Sequence, residues 1–274
     1  ARPLPNGSVR TAHGRRPLYD ILLGHPLDFK SERTAEAFIN LAKLPLIMTT
    51  QKEWEQEVRD VFKKIKSHKQ IYSINVNGVE VHIFPNVFSP AYFTDSKWFA
   101  ETVLKIVGRH SFLEIGTGTG IVALFAGLNG AQVSATDINP DAVENARYNF
   151  EKHGIDAKTY CGDMYEPLPK DTGFDCIFWN HPFNRGDDPD EETLLKSGFD
   201  FQYASLEKYI ADAHLHLNPS GRLLLGTGNF ALLSEIEQLA VKYDYRMKLL
   251  EKIKIPLAVD SFIENDYRIY EFQK

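Results

Sequence analysis

The run Asn180-His181-Pro182-Phe183 closes an apolar stretch, Phe174-Asp175-Cys176-Ile177-Phe178-Trp179, with residue types suited to one demanding reaction. The lone pair of an amide or aromatic amine nitrogen is delocalised. A site that alkylates such a nitrogen must hold its two N–H hydrogens and aim the nitrogen at the electrophile. The Asn180 side-chain carbonyl can accept one of these hydrogen bonds, and the backbone carbonyl of His181 the other. Pro182 stiffens the turn, and Phe183 can stack on a planar group, which disfavours flexible aliphatic amines. Orientation and desolvation can supply much of the rate, so no strong base is required. Taken alone, the tetrapeptide also reads as a tight strand exit.

A second segment gives it a cosubstrate. In Phe112-Leu113-Glu114-Ile115-Gly116-Thr117-Gly118-Thr119-Gly120-Ile121 an apolar strand passes through a glycine-rich turn into a helix, the arrangement that lets a ligand approach the backbone at strand carboxyl ends. The glycines are spaced G-x-G-x-G, not the G-x-G-x-x-G of a dinucleotide site, which disfavours hydride transfer. S-adenosyl-L-methionine has no pyrophosphate to cradle and needs room for an amino-acid moiety and a sulfonium, and Glu114 suits that cationic end through a water. Asp137 follows the next strand, where a carboxylate can accept both ribose hydroxyls; it could equally cap the helix that begins near Pro140. Asp163, in Cys161-Gly162-Asp163-Met164, is placed to meet an adenine amino group.

These segments need a scaffold, and the sequence supplies one. From Ser111, short apolar strands alternate with helices: strands at 112–115, 132–136, 157–160, 174–179 and 221–225, and helices from Ile121, from Pro140, near Leu206–Leu217 and near Leu232–Tyr243. The alternation predicts a doubly wound α/β sheet of parallel strands. Two further strands, Met247–Ile255 and Arg268–Phe272, predict an antiparallel C-terminal edge. Upstream, a period of two on both sides of Asn77-Gly78 predicts a β-hairpin over 71–84. From Leu18 to about His68 the apolar spacing is helical, broken at Pro45. The change of period places a boundary near residue 70, with a helical region 1–70 and a catalytic domain 71–274.

The chain has 274 residues, 43% hydrophobic and 25% charged, which suits a globular domain with a smaller appendage and excludes disordered, collagenous and disulfide-built chains. Cys161 and Cys176 have no zinc-ligand spacing and are expected to be reduced, partly buried thiols; no metal is expected. No apolar run approaches the ~20 residues of a membrane span, and Ala1-Arg2-Pro3-Leu4-Pro5 lacks the apolar core of a secretory signal, so a cytoplasmic location is expected. The net charge of −6 argues against a whole-surface polyanion binder. It averages a basic first segment, residues 1–70 with 13 basic against 8 acidic, and an acidic remainder. That first segment could engage RNA, DNA or an acidic protein, or could be a solvated helical face bearing Lys63, Lys64, Lys66 and Lys69.

On Glu114-Ile115-Gly116-Thr117-Gly118-Thr119-Gly120, Asp137, Gly162-Asp163-Met164-Tyr165-Glu166-Pro167-Leu168 and the Asn180 tetrapeptide, the chain resembles the class I S-adenosylmethionine-dependent methyltransferases. Within them it is similar to the HemK-type glutamine N5-methyltransferases and their nucleobase-methylating relatives, over roughly residues 70–272. The resemblance implies a Rossmann-like sheet, with S-adenosylhomocysteine as a product. It implies cofactor contacts at Gly116, Thr117, Gly118, Gly120, Asp137, Ile138, Asp163, Met164 and Asn180, and cofactor or substrate contacts at Phe93, Thr94 and Asp95. The family's Asn-Pro-Pro-Tyr/Phe motif falls on Asn180-His181-Pro182-Phe183, where His181 replaces a proline; it is expected to be a half-exposed, ordinary imidazole that could help select the substrate. The methyl acceptor is expected to be a protein glutamine or a nucleobase. Alternatives are a small-molecule nitrogen, with the helical region capping the pocket, and a cofactor-binding partner or sensor without turnover. The acidic stretch Arg185–Glu192 is expected to be a substrate lid or a solvated loop, and Gly226-Thr227-Gly228 a strand exit.

Overall fold

The computed structural model describes residues 50–274. The helical pattern upstream, and the greater part of the basic segment, lie outside the described residues. The first described helix, α1 (Gln51–Ser67), begins with a capping box in which the Thr50 hydroxyl accepts from the Glu53 N–H and the Glu53 carboxylate accepts from the Thr50 N–H. Its residues Trp54, Val58, Val61, Phe62 and Ile65 recur at three- and four-residue steps and are all buried. They join the same apolar core as the sheet. The compact unit holding that sheet runs from Thr49 to Lys274, so it begins upstream of the residue-70 division expected from the change of period.

The hairpin follows as β1 (Tyr72–Val76) and β2 (Val79–Ile83), turning at Asn77 (φ 51°) and Gly78 (φ 87°), the two positive angles the tight turn requires. Helix α2 (Asp95–Val107) then leads into β3 (Ser111–Ile115). Beyond it come α3 (Ile121–Leu128), β4 (Gln132–Asp137), α4 (Pro140–Lys152), β5 (Lys158–Cys161) and β6 (Phe174–Asn180). A short parallel pair, β7 (Asn184–Gly186) and β8 (Phe199–Phe201), precedes α5 (Ala204–Asp212), β9 (Leu217–Gly228), α6 (Leu233–Lys242), β10 (Arg246–Pro256) and β11 (Glu264–Gln273).

Seven strands form one sheet in the order β10-β11-β9-β6-β3-β4-β5. β3, β4, β5, β6 and β9 run parallel, while β10 and β11 make the antiparallel edge, so the doubly wound Rossmann-like fold is present. From β3 the chain winds outward through β4 to β5, then crosses back to place β6 on the other side of β3. Winding reverses there, and a crevice opens at the carboxyl ends of β3 and β6, where ligands settle in sheets of this kind.

Local packing departs from the sequence reading at two places. Gly226-Thr227-Gly228 is the buried end of β9 itself, not an exit from it; a Cβ at Gly226 would lie 2.9 Å from the rings of Phe99 and Phe178, so this glycine lets strand and helix touch. Trp98 and Phe99 ride on α2, whose buried residues Phe99, Ala100, Val103 and Val107 keep helical spacing. Cys161 is exposed, whereas Cys176 is buried and its thiol is pushed up to about 12 by burial.

Candidate active site

The glycine loop after β3 holds positive φ at Gly116 (60°), Gly118 (55°) and Gly120 (78°), angles that cost other residues strain. Two of these glycines also permit close approach. A Cβ at Gly116 would sit 2.7 Å from the Trp179 indole nitrogen, and one at Gly120 3.0 Å from Ala146 and Phe150. The loop is tied to β4 through Thr117 N–H donating to the Thr136 carbonyl at 3.0 Å.

Two carboxylates face this loop. Glu114 is 3% exposed, and one of its oxygens accepts from the Thr117 hydroxyl at 2.7 Å and the Ala123 N–H at 3.0 Å. Burial pushes it up to about 8, against the pull of those hydrogen bonds. Asp137 accepts from Gly118 N–H through one oxygen and Asn139 N–H through the other, both at 2.9 Å, and burial pushes it up to about 6. The cap of α4 is Asn139, whose side chain accepts from the Asp141 N–H at 3.0 Å, so the capping alternative for Asp137 is filled by its neighbour.

Because Ile115 pairs with Trp179 across the parallel ladder, Gly116 and Asn180 leave adjacent strands side by side. The Asn180 amide nitrogen donates to the Asp95 carboxylate at 2.8 Å, and its carbonyl oxygen is buried without a partner. The amide orientation follows from that donation, since the flipped amide would set two acceptors against each other. Asp95 stands at the start of α2, 4% exposed, and its other oxygen accepts from the Ser96 N–H at 2.7 Å and the Ser96 hydroxyl at 3.2 Å. Burial raises its pKa, opposed by these hydrogen bonds.

His181 is not the half-exposed imidazole expected. It is 2% exposed, with Nε2 at 2.8 Å from the Thr227 hydroxyl on β9 and Nδ1 without a partner. Burial holds it down at about 3, so the ring is neutral at neutral pH. Pro182 is buried beside it, and Phe183, 8% exposed, has its backbone carbonyl held by the Tyr203 hydroxyl at 2.7 Å.

These groups share one cavity of about 350 Å³. Its wall takes in Glu114, Gly116 to Thr119, Asp137, Ile138, Asp163, Met164, Asn180 to Phe183, Phe93 and Asp95. Two residues singled out in the sequence stand off it. Thr94 turns its hydroxyl to the Pro256 carbonyl, and Gly120 serves as the N-cap of α3. Asp163 lines the cavity but pairs with Lys208 at 2.7 Å. Ile138 is 48% exposed at the β4 tip, while Met164 is nearly covered and takes φ 47°. Among the described residues no group of three His, Cys, Asp or Glu is arranged to hold a metal ion, and no described helix is long and apolar enough to cross a membrane.

The far wall is supplied by α1 through Trp54, Val58 and Phe62, the part of the helical region that the small-molecule alternative sets over the pocket. The Trp54 indole N–H donates to the Asn184 side-chain carbonyl at 2.8 Å, and the Trp54 ring stacks on Phe230 at 4.2 Å. Arg59 pairs with Glu191 at 2.9 Å and lies over the Phe199 ring at 4.1 Å, while Lys66 pairs with Glu192. The acidic stretch is thereby fastened to α1. Helical spacing marks these residues as a buried face, but does not say which of them line the cavity.

Comparison with known proteins gives a consistent setting. The family model described as "Methyltransferase small domain" matches residues 78–240. A ribosomal RNA small subunit methyltransferase C of Vibrio vulnificus is 29% identical over 164 residues, 58% of this chain and 44% of that protein. A Methanocaldococcus jannaschii protein, provisionally named a protein N5-glutamine methyltransferase, is 25% identical over 206 residues, 72% of this chain and 99% of that one. The chain thus spans less than half the length of the Vibrio relative. Among solved structures, a T. thermophilus 16S rRNA N2 methyltransferase in complex with AdoMet and guanosine superposes with a TM-score of 0.54 at 20% identity, over 74% of this chain and 50% of that one, a likeness of fold.

Proposed function

We propose that this chain, which belongs to the methyltransferase small-domain family, transfers a methyl group from S-adenosyl-L-methionine to a planar amide or amino nitrogen. The observation that carries the reading is the buried, unpartnered carbonyl oxygen of Asn180, fixed in orientation by Asp95 beside the glycine loop.

The residues present fit the cofactor. Glu114 and Asp137 are carboxylates driven toward their neutral forms by burial, and a cationic or hydroxyl-bearing ligand would relieve that penalty. Each oxygen of Asp137 already accepts one backbone N–H and retains a lone pair for a ribose hydroxyl. Gly116, Thr117 and Gly118 offer backbone at close approach. Ile138 and Met164 flank the space for a flat base, with Asp163 able to accept from its amino group while shared with Lys208. Phe93 closes the same space, and Thr94 acts through the position of its neighbours. The cofactor supplies an electrophilic methyl on a sulfonium, and S-adenosylhomocysteine is the product.

Asn180 and the His181 backbone carbonyl accept the two N–H bonds of the acceptor, which aims the nitrogen lone pair away from them and toward the donor. Phe183 stacks on the acceptor plane, and Pro182 keeps the turn stiff. The His181 ring takes no proton, since it is neutral, buried and committed to Thr227. The acceptor's proton leaves to water after transfer. Planar nitrogens of this class occur in nucleobases and in glutamine side chains, the acceptors of the HemK-type enzymes and their relatives. Calorimetric titration with S-adenosylhomocysteine, followed by transfer of labelled methyl into a cell extract, tests the reading. Binding with transfer supports it, and binding without transfer makes the chain a sensor or partner.

A further inference from the structure

We infer that the methyl acceptor is a free, planar, nitrogen-bearing small molecule without a phosphate group, selected by the roof that α1 lays over the acceptor end of the cavity. The inference rests on the methyl-transfer reading and names the class of acceptor. Three observations lead to it.

The first is enclosure. Beyond Asn180 the cavity is walled by Trp54, Val58 and Phe62 of α1, each at most 4% exposed. The roof is fastened by Trp54 to Asn184, by Trp54 on Phe230 and by Arg59 to Glu191. A compact ligand fits beneath this helix, whereas a strand or peptide would have to present its nitrogen past the buried side chains of Trp54, Val58 and Phe62.

The second is charge. Away from the glycine loop the lining includes Asp95, Asp188, Glu191 and Asp200 and, among the described residues, one lysine, Lys196, while Arg59 behind the wall neutralises Glu191. Phosphate groups are held by Arg and Lys, so a nucleotide or nucleic-acid strand meets repulsion here. A neutral or cationic acceptor meets the opposite. The third is shape. Phe93 lies flat against Phe88, with ring centroids 4.5 Å apart, and the Phe62 ring stands 5.5 Å from Phe93. Together with Trp54 and Phe183, these rings line the cavity with aromatic surface suited to a flat ligand, and Asn180 offers its free carbonyl oxygen to the same cavity.

The test incubates the full chain with S-adenosyl-L-methionine labelled in the methyl group and an extract separated into RNA, protein and small-molecule fractions. Labelled small molecules are then passed over an anion exchanger before and after phosphatase. The expected result is label in the small-molecule fraction that passes the exchanger without phosphatase. Label in RNA or protein, or label retained until phosphatase is added, overturns the inference. Absence of label in every fraction overturns it as well, while calorimetric binding of S-adenosylhomocysteine would leave the cofactor reading standing; failure to bind defeats both. Trp54→Phe, which keeps the aromatic packing and removes the N–H donated to Asn184, should raise KM for the labelled acceptor about threefold to tenfold with S-adenosylhomocysteine affinity unchanged, the loss expected for one hydrogen bond. An unchanged KM removes α1 from acceptor selection.

Discussion

Replacing Glu114 by glutamine should stabilise the ligand-free protein and weaken it as a cofactor binder. Burial carries the carboxyl from an ordinary 4.5 to about 8. Between these values the folded chain keeps a proton that the unfolded chain releases, so stability falls as pH rises through that window and levels off above it. Each pH unit costs about 1.4 kcal/mol, which amounts to about 3 kcal/mol at pH 7. Because Glu114 is only 3% exposed, solvent screening does not discount this figure. The glutamine oxygen can accept from the Thr117 hydroxyl and the Ala123 N–H as the carboxylate does, and it carries no ionisation to suppress. Urea unfolding of both proteins at a series of pH values from 4.5 to 8 should show the variant's advantage growing with pH. Binding of S-adenosyl-L-methionine should weaken by about 1.5–3 kcal/mol, the loss of a charge-assisted contact. A stability difference independent of pH, or a variant less stable at pH 7, would refute the reasoning.

Gly116→Ala should cost about 2–5 kcal/mol in urea unfolding, from a left-handed backbone angle together with a Cβ placed against the buried Trp179 ring. Gly154→Ala, at φ 67° but in open space, should cost only the backbone strain, about 1–2 kcal/mol; equal losses at the two sites would contradict the packing argument. Burial holds the His181 imidazole at about 3 against an ordinary 6.5, so stability is lost as pH falls through that window. His181→Asn should flatten the acid side of the profile by about 1.4 kcal/mol per pH unit, and an unaltered acid limb would show the ring to be accessible. Asp95→Asn should leave S-adenosylhomocysteine affinity intact in calorimetry and slow methyl transfer about tenfold to a hundredfold, since a hydrogen bond to a charged acceptor orients Asn180. Loss of cofactor affinity instead would make Asp95 part of the cofactor pocket.

Legibility in the sequence followed the range of the interactions. The glycine loop could be read directly because positive backbone angles and close approach are local demands, and Gly116, Gly118 and Gly120 meet them within five residues. The sheet could be read from alternating periods, including its antiparallel edge. The Asn180 tetrapeptide was recognisable, but what holds it was not: Asp95 lies 85 residues away and reaches Asn180 only because α2 docks against β6. His181 looked like a surface imidazole because nothing near it in sequence shows that Thr227 ends the neighbouring strand. For Asp137, capping and ligand binding looked alike until Asn139 was seen to cap α4. The apolar face of α1 is plain from Trp54 to Ile65, yet its place over a cavity depends on Asn184 and Glu191, which lie some 130 residues away in the chain.

The most direct measurement compares Asn180→Ala with the parent chain in two assays on the same preparations: calorimetric affinity for S-adenosylhomocysteine, and the rate at which labelled methyl leaves the cofactor in an acceptor-bearing extract. Loss of the unpartnered Asn180 carbonyl oxygen at the end of β6 should leave the affinity within about twofold and lower the rate about a hundredfold or more, as removal of an aligned hydrogen-bonding group at a reacting centre does. A variant that transfers methyl at the parent rate would show that Asn180 does not hold the reacting nitrogen.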